Sequence, residues 1–264
     1  IIFMLLSRLR TSFCIRFIRE VLMSEIITLP LGFANAFIIR GRATIMVDTG
    51  IHVRKEKYLQ LFAAHEIDPR SIQLLIVTHA HADHFSEANV IKEMTGAPLL
   101  CHKKAAQFLL AGKNAAVVPA NELGSKALQA LGRKLPLRAK PVHPDIIIDD
   151  DFDLKPYGMA GRVIATPGHT DCSLSVMLGD GQAIVGDTIV PDFFTGQPSL
   201  AYFATDVEAL SASVTRLLAL AHTFYSSHGG PYSKEIVLQL CASLGRDCSP
   251  DGESAHCQRQ RGNK

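Results

Sequence analysis

Residues 76–85 read "IVTHAHADHF". Three histidines and an aspartate fall within six positions, directly behind an apolar run. With 11 histidines in 264 residues, a fixed His-x-His-x-Asp-His arises by chance on the order of once in a thousand such chains. Neutral imidazole and carboxylate are good ligands for first-row divalent ions. If the strand continues through the motif, His79 and His81 point to one side and can share an ion. Asp83 and His84 come after the chain begins to turn, so they can face a second ion close by.

Such a site needs ligands from elsewhere in the chain. "IATPGHTD" (164–171) puts His169 after an apolar run and a Pro-Gly turn, and "AIVGDTI" (183–189) puts Asp187 behind Gly186. "FYSSHGG" (224–230) puts His228 before two glycines that permit close backbone approach. "IMVDTG" (45–50) closes on Asp48. Each polar residue ends a β-rich run, as expected of residues at the rim of a sheet.

The surroundings fit a globular protein. The chain is 47% hydrophobic and 20% charged, with a net charge of +2, which implies neither a nucleic-acid partner nor an anionic membrane. "EIITLPL", "NAFIIRG" and "ATIMVDTG" read as strands joined by tight turns. "KEKYLQLFAAHEI" reads as a helix, "SIQLLIVTH" as a buried strand and "SEANVIKEMTG" as a helix with Ser86 as N-cap and Gly96 as stop. "APLLCH" is a further strand, and residues 103–135 read as helical. In the second half "DFDLKPYG", "GRVIATPGH", "SLSVMLGDG" and "QAIVGDTIV" are strand-like. "DVEALSASVTRLLALA" is a helix capped by Asp206, "TFYSSHGG" a last strand and "SKEIVLQLCASLG" a last helix. Two strand-rich halves, each covered by helices, predict an α/β protein of paired sheets with helices outside.

The ends differ from this body. Residues 1–23 are apolar but broken by Arg8, Arg10, Arg16 and Arg19, the wrong order for a signal peptide and too charged to span a membrane. They read either as a basic amphipathic segment or, the blander expectation, as sequence upstream of a start at Met23. Residues 24–245 read as one domain and 246–264 as a polar, disordered tail. Six cysteines without a C-x-x-C pair predict reduced thiols and a cytoplasmic protein.

The order "VDTG", "THAHADH", "TPGHT", "VGD", "SHGG" resembles the metallo-β-lactamase-fold hydrolases, over about residues 26–244. That resemblance implies a four-layer αββα sandwich with the site at one edge. It implies that His79, His81 and His169 hold one metal ion, that Asp83, His84 and His228 hold a second, and that Asp187 bridges the two. Asp48 would orient a ligand from behind. The implied cofactors are two divalent ions, Zn²⁺ by default, with iron or manganese compatible with the same ligands.

The chemistry expected of such a centre is hydrolysis of an ester-like bond (thioester, lactone or other ester) of a small molecule by a metal-bridging hydroxide, with Asp83 accepting or relaying the proton of the attacking water. The true β-lactamases of this family commonly carry Cys where this chain has Asp187. Glyoxalase II has the full ligand set but a longer C-terminal helical region. Acyl-homoserine lactonases have a Tyr where Val190 stands. Phe193, Phe194, Tyr202 and Phe203 are candidates for lining an apolar substrate pocket, with core packing as the competing role. Two other classes stay open: an enzyme resembling the persulfide dioxygenases, with a single iron on His79, His169 and Asp187, and a non-catalytic metal-binding module.

Overall fold

The computed structural model describes residues 24–131 and 138–243. The N-terminal extension 1–23, the tail 246–264 and Met23 lie outside the described residues. The first half builds a six-stranded sheet in spatial order β1 (Glu25–Pro30), β2 (Asn35–Arg40), β3 (Thr44–Val47), β4 (Ile72–Ile76), β5 (Leu99–His102) and β6 (Ile146–Ile148). Tight turns join β1, β2 and β3, which pair antiparallel. From β3 to β6 the pairing is parallel, as helical crossovers require. These crossovers carry α1 (Lys55–Ala64), the single turn α2 (Ala82–Phe85), α3 (Ala88–Thr95), α4 (Lys103–Ala111) and α5 (Glu122–Leu131).

The second half supplies β7 (Phe152–Asp153), β8 (Gly161–Ala165), β9 (Leu174–Leu178) and β10 (Gln182–Ile184), a two-stranded ribbon of β11 (Ile189–Pro191) and β12 (Pro198–Leu200), then α6 (Val207–Leu220), β13 (Thr223–Ser226), β14 (Gly229–Ser233) and α7 (Lys234–Ser243). Its six-stranded sheet runs β14-β13-β10-β9-β8-β7.

Period-two alternation makes the layers. Phe37, Ile39, Ile45, Val47, Leu74 and Ile76 of the first sheet meet Val163, Val176, Leu178 and Ile184 of the second. Their alternates Ile38, Met46 and Leu75 pack outward beneath Tyr58, Phe62, Ile91 and Leu109 of the helices. On the far side Met177, Ala183 and Phe224 pack against Val214, Leu217 and Leu218 of α6 and Val237 of α7. The result is the expected four-layer αββα sandwich, in which both sheets are covered on both faces and their strands are therefore near-continuously apolar.

Some local expectations change. Strand β4 stops at Ile76, so His79 and His81 stand on a bend and not on a strand; the chain must leave the sheet to bring both rings together. The N-cap of α3 is Glu87, without a side-chain cap bond, because Ser86 ends α2. Gly96 does stop α3 in the left-handed conformation. The helical reading of 103–135 divides at Gly112, the left-handed cap of α4. "QAIVGDTIV" is two strands separated by the turn that holds Asp187. Cys241 is disulfide-bonded, against the expectation of reduced thiols throughout. Cys101 and Cys172 are free and buried. Among the described residues no helix is long and apolar enough to cross a membrane.

Candidate metal centre

Parallel strands end at one edge. Asp48 directly follows β3 and His79 lies three residues past β4, two strands paired in parallel through Val47 and Ile76. In the second sheet β10 and β13 are also parallel, and β8 and β10 both run antiparallel to the intervening β9. The loops after β8, β10 and β13, carrying His169, Asp187 and His228, therefore leave the same edge. Two glycines shape these loops. Gly168 has φ +135° and a Cβ there would lie 2.2 Å from the backbone nitrogen of Leu210; at Gly186 (φ +53°) it would press on Thr78 Oγ1.

The side chains form two groups that share an edge. His79 Nε2, His81 Nδ1 and His169 Nε2 stand 3.1 Å from one another in a buried triangle. Asp83, His84, Asp187 and His228 form the second group. There His84 Nε2 lies 3.4 Å from Asp187 Oδ1 and 3.5 Å from Asp83 Oδ2, and His228 Nε2 lies 3.2 Å from Asp187 Oδ2. Asp187 Oδ2 is also 3.6 Å from His169 Nε2 and 3.9 Å from His79 Nε2, so this carboxylate lies between the groups.

The tautomers follow from the other ring nitrogens. His169 Nδ1 donates to the Phe203 carbonyl at 2.8 Å, His228 Nδ1 to the Phe33 carbonyl at 2.9 Å, and His81 Nε2 to the Ala116 carbonyl at 3.4 Å. His84 Nδ1 donates to Asp48 Oδ2 at 2.8 Å. Asp48 also accepts from Thr78 N at 2.7 Å and from Thr78 Oγ1 at 2.8 Å. Since the Thr78 hydroxyl proton goes to Asp48, Thr78 Oγ1 accepts from His79 Nδ1 at 3.1 Å. All five rings thus have one nitrogen committed to a protein acceptor, which aims the other at the centre, and in His79, His81 and His169 that inner nitrogen carries a bare lone pair, the arrangement that outer carboxylates and carbonyls impose on ligating imidazoles.

Those lone pairs test the fit of a cation. Three nitrogens facing one another at 3.1 Å with no proton between them repel. Two nitrogens bound to one ion at about 2.0–2.1 Å in a tetrahedral arrangement sit roughly 3.3 Å apart, close to the spacing seen. In the second group His84 Nε2 and Asp187 Oδ1 are buried 3.4 Å apart with no hydrogen-bond partner of good geometry, and leaving such groups poorly paired costs about 1–3 kcal/mol each. A divalent ion in each group would satisfy all of these atoms.

Electrostatics separates the two groups. Burial, with neighbouring imidazoles adding, pushes His79 well below the ordinary range and His81 down to about 3; His169 is lowered mainly by burial. These rings stay neutral and ready to ligate. At His84 and His228 burial acts in the same direction but is outweighed by Asp187 and Asp83, which hold His84 well above the ordinary range and His228 up to about 9. Burial raises Asp187 and Asp83, and the nearby His228 and His84 more than reverse it.

A cavity of about 360 Å³ opens above the centre. Phe193, Tyr202 and Phe203 line it; Phe194 does not, and stands in solvent at the tip of the β11–β12 turn. Lys103 and Lys104 pair with Asp149 and Asp171 at the surface. The sequence reading did not single out Asn114, which also lines the cavity. Its Oδ1 accepts from Ala82 N at 2.8 Å, inside the histidine motif. That bond turns the amide so that Nδ2 is left as a donor, with no partner among the described residues. The only local signal was an Asn shortly after the Gly112 stop.

Comparison with known proteins agrees with this geometry. A family model described as the metallo-beta-lactamase superfamily matches residues 29–228. A probable metallo-hydrolase of Methanocaldococcus jannaschii is 29% identical over 156 residues, 59% of this chain and 67% of that protein. Among solved structures, an archaeal metallo-beta-lactamase superfamily protein from Sulfolobus tokodaii superposes with a TM-score of 0.60 at 21% identity, over 85% of this chain and 88% of that one. A protein solved in a di-iron-bound form gives 0.58 at 23% identity, over 83% and 96%. A family match that runs from the first strand through His228 takes in every loop that carries a candidate ligand, and the chain belongs to the metallo-beta-lactamase superfamily.

Proposed function

We propose that this metallo-hydrolase family member is a dinuclear enzyme that hydrolyses an ester-like bond of a small molecule: a thioester, a lactone or another ester. The observation that carries the reading is the shared carboxylate. Asp187 faces both groups, and its Oδ1 and the neighbouring His84 Nε2 are buried with no other partner. His79, His81 and His169 would hold one ion, Asp83, His84 and His228 the other, and Asp187 would bridge. A pair of divalent ions so held would supply a water activated as nucleophile at neutral pH and would polarise the scissile carbonyl.

The protein's own groups do the rest. Asp83 is half-buried, lines the cavity and is held ionised by His84, so it can accept a proton from an attacking water. Asp48 and Thr78 fix His84 and His79, which removes reorganisation from the reaction. Asn114 Nδ2 offers a donor to a substrate oxygen. Zinc is the default ion for this donor set, while the di-iron form of a structural neighbour makes iron a reasonable occupant. The cytoplasmic location inferred from dispersed thiols remains a proposal, and the disulfide at Cys241 runs against its premise.

The test is metal content per chain by elemental mass spectrometry, on protein purified without chelator or histidine tag, followed by a screen of thioesters, lactones and phosphodiesters. About two ions per chain with turnover of an ester substrate is the expected result. About one iron per chain, with oxygen consumed on a persulfide, would overturn it in favour of the mononuclear class.

A further inference from the structure

The cavity has a one-sided chemistry. Its floor is the ligand set, with His81, Asp83, His169, Asp187 and His228 all exposed to it, and its walls are Val117, Val190, Pro191, Ala201 and Phe203. Among the described residues no lysine or arginine lines it. The one hydroxyl on the wall, Tyr202, is committed: it donates to Asp192 Oδ2 at 2.9 Å and accepts from Phe193 N at 3.2 Å. Beyond the candidate ligands, the free polar group is therefore the Asn114 amide. A carboxylate, phosphate or sulfonate held along these walls, away from the floor, would be desolvated with no lysine or arginine among the described residues to meet it, which is costly.

The apolar lining does not stop at the mouth. Phe33 from the β1–β2 turn is 56% exposed and Phe193 from the β11–β12 turn 62% exposed, and both belong to the cavity wall. Phe194, next along the same turn, is 81% exposed. Neither rim residue is loose. Phe33 stands edge-on to His228 with ring centres 5.4 Å apart, and Phe193 stacks on Tyr202 at 4.4 Å. Large apolar groups held in fixed positions at the rim of an apolar cavity mark a surface that something covers. A volume of about 360 Å³ is at the small end for ligand pockets. It accommodates a reacting group and the first part of an apolar tail, whose remainder would lie across this rim.

We propose that the substrate is an uncharged ester, thioester or lactone with an unbranched apolar acyl chain that runs from the metal centre along Val190 and Ala201 and out over Phe33 and Phe193. The proposal rests on the hydrolase reading above and narrows it. The rim selects for chain length, and apolar walls without a lysine or arginine among the described residues select against a charged terminus.

The experiment is a homologous series of neutral esters, acetyl to dodecanoyl, on the metal-loaded enzyme, with kcat and KM resolved for each. Burial of each added methylene predicts a rise in kcat/KM of about fourfold, carried by KM, until the chain reaches the rim. A matched chain ending in a carboxylate should fall at least tenfold below its neutral partner. Phe193→Ala should flatten the upper part of the series, and Phe193→Leu should restore it. Turnover with a flat series, or with a preference for the charged terminus, overturns the proposal while leaving the hydrolase reading intact. If no ester is turned over, that reading fails instead, and calorimetry of methyl alkyl ketones on the metal-free protein decides this one: affinity must rise with chain length. A rim covered by a second copy, seen as a dimer that Phe194→Glu splits while the series stays flat, also overturns it.

Discussion

Asp48 is the residue on which the rest of the centre leans. It sits at φ +59°, a left-handed conformation uncommon for a residue with a Cβ, and its fully buried carboxylate takes three hydrogen bonds, from His84, Thr78 N and Thr78 Oγ1. Through His84 it touches one group of candidate ligands and through Thr78 the other. Asp48→Asn keeps the shape but puts an amide beside His84 Nδ1 or Thr78, so one donor loses its acceptor. The expected result is a loss of metal affinity of about 10–100-fold, read by competition with a chromophoric chelator. An unchanged affinity would mean that Asp48 serves only the turn before Gly50. Asn114 gives a second test at this scale. Asn114→Asp preserves the acceptor for Ala82 N but replaces the Nδ2 donor with a second oxygen. Stability should hold within about 1 kcal/mol, while kcat/KM for a neutral ester should fall about tenfold or more; equal losses with Asn114→Ala would identify the missing donor, not the added charge, as the cause.

At the level of elements, the loop from β8 to α6 shows how backbone geometry fixes a ligand. Gly168 lies against Leu210, and Asp206, the N-cap of α6, accepts from Ala209 N at 2.9 Å while its own N–H reaches the Gly168 carbonyl at 3.1 Å. A Cβ at residue 168 would sit 2.2 Å from backbone that cannot move without unseating the helix. Gly168→Ala should therefore cost several kcal/mol of the roughly 5–15 that hold a domain together, seen as a markedly lower denaturation midpoint. On the two-ion reading, it should also release the ion that His79, His81 and His169 would hold before the other. The Pro-Gly turn was legible in the sequence, and so were most strands and the main helices, because alternation and 3.6-residue spacing are local signals. What the sequence withheld was non-local. The short strands β6 and β12 exist only as partners of β5 and β11, and Asn114 gains its meaning only because the loop after α4 lies against Ala80 and Ala82. The candidate ligands His169, Asp187 and His228 could be singled out in advance, since each follows a run of apolar residues, whereas the bend that carries His79 and His81 could not. Phe194, one residue from Phe193, shows the limit of reading a pocket from neighbouring aromatics, because the turn between β11 and β12 sends only one of the pair to the cavity.

For the whole molecule, the centre couples stability to pH in a way that metal should reverse. In the metal-free protein His81 is held down to about 3, with His79 and His169 also lowered, whereas in the unfolded chain all three take up protons below about 6.5. The unfolded state then binds more protons, so stability falls as pH drops from about 6.5 toward 3. His228 has the opposite sign. Its pKa is raised to about 9 in the folded state, so its contribution is fully present below about 6.5 and is lost as pH rises through about 9. His84, held high by the same carboxylates, acts in the same direction. The metal-free protein should therefore be most stable near pH 6.5 and melt earlier on both sides. With ions bound, the imidazoles are deprotonated by ligation, the protons on His84 and His228 have no role left, and the alkaline decline should disappear while the acidic one steepens as ions are released. Melting temperatures between pH 4 and 9, with and without a chelator, check this. If the metal-free curve rises steadily toward pH 9, the charge assignments at His84 and His228 are wrong, and the second group of ligands is already poised to bind without expelling a proton.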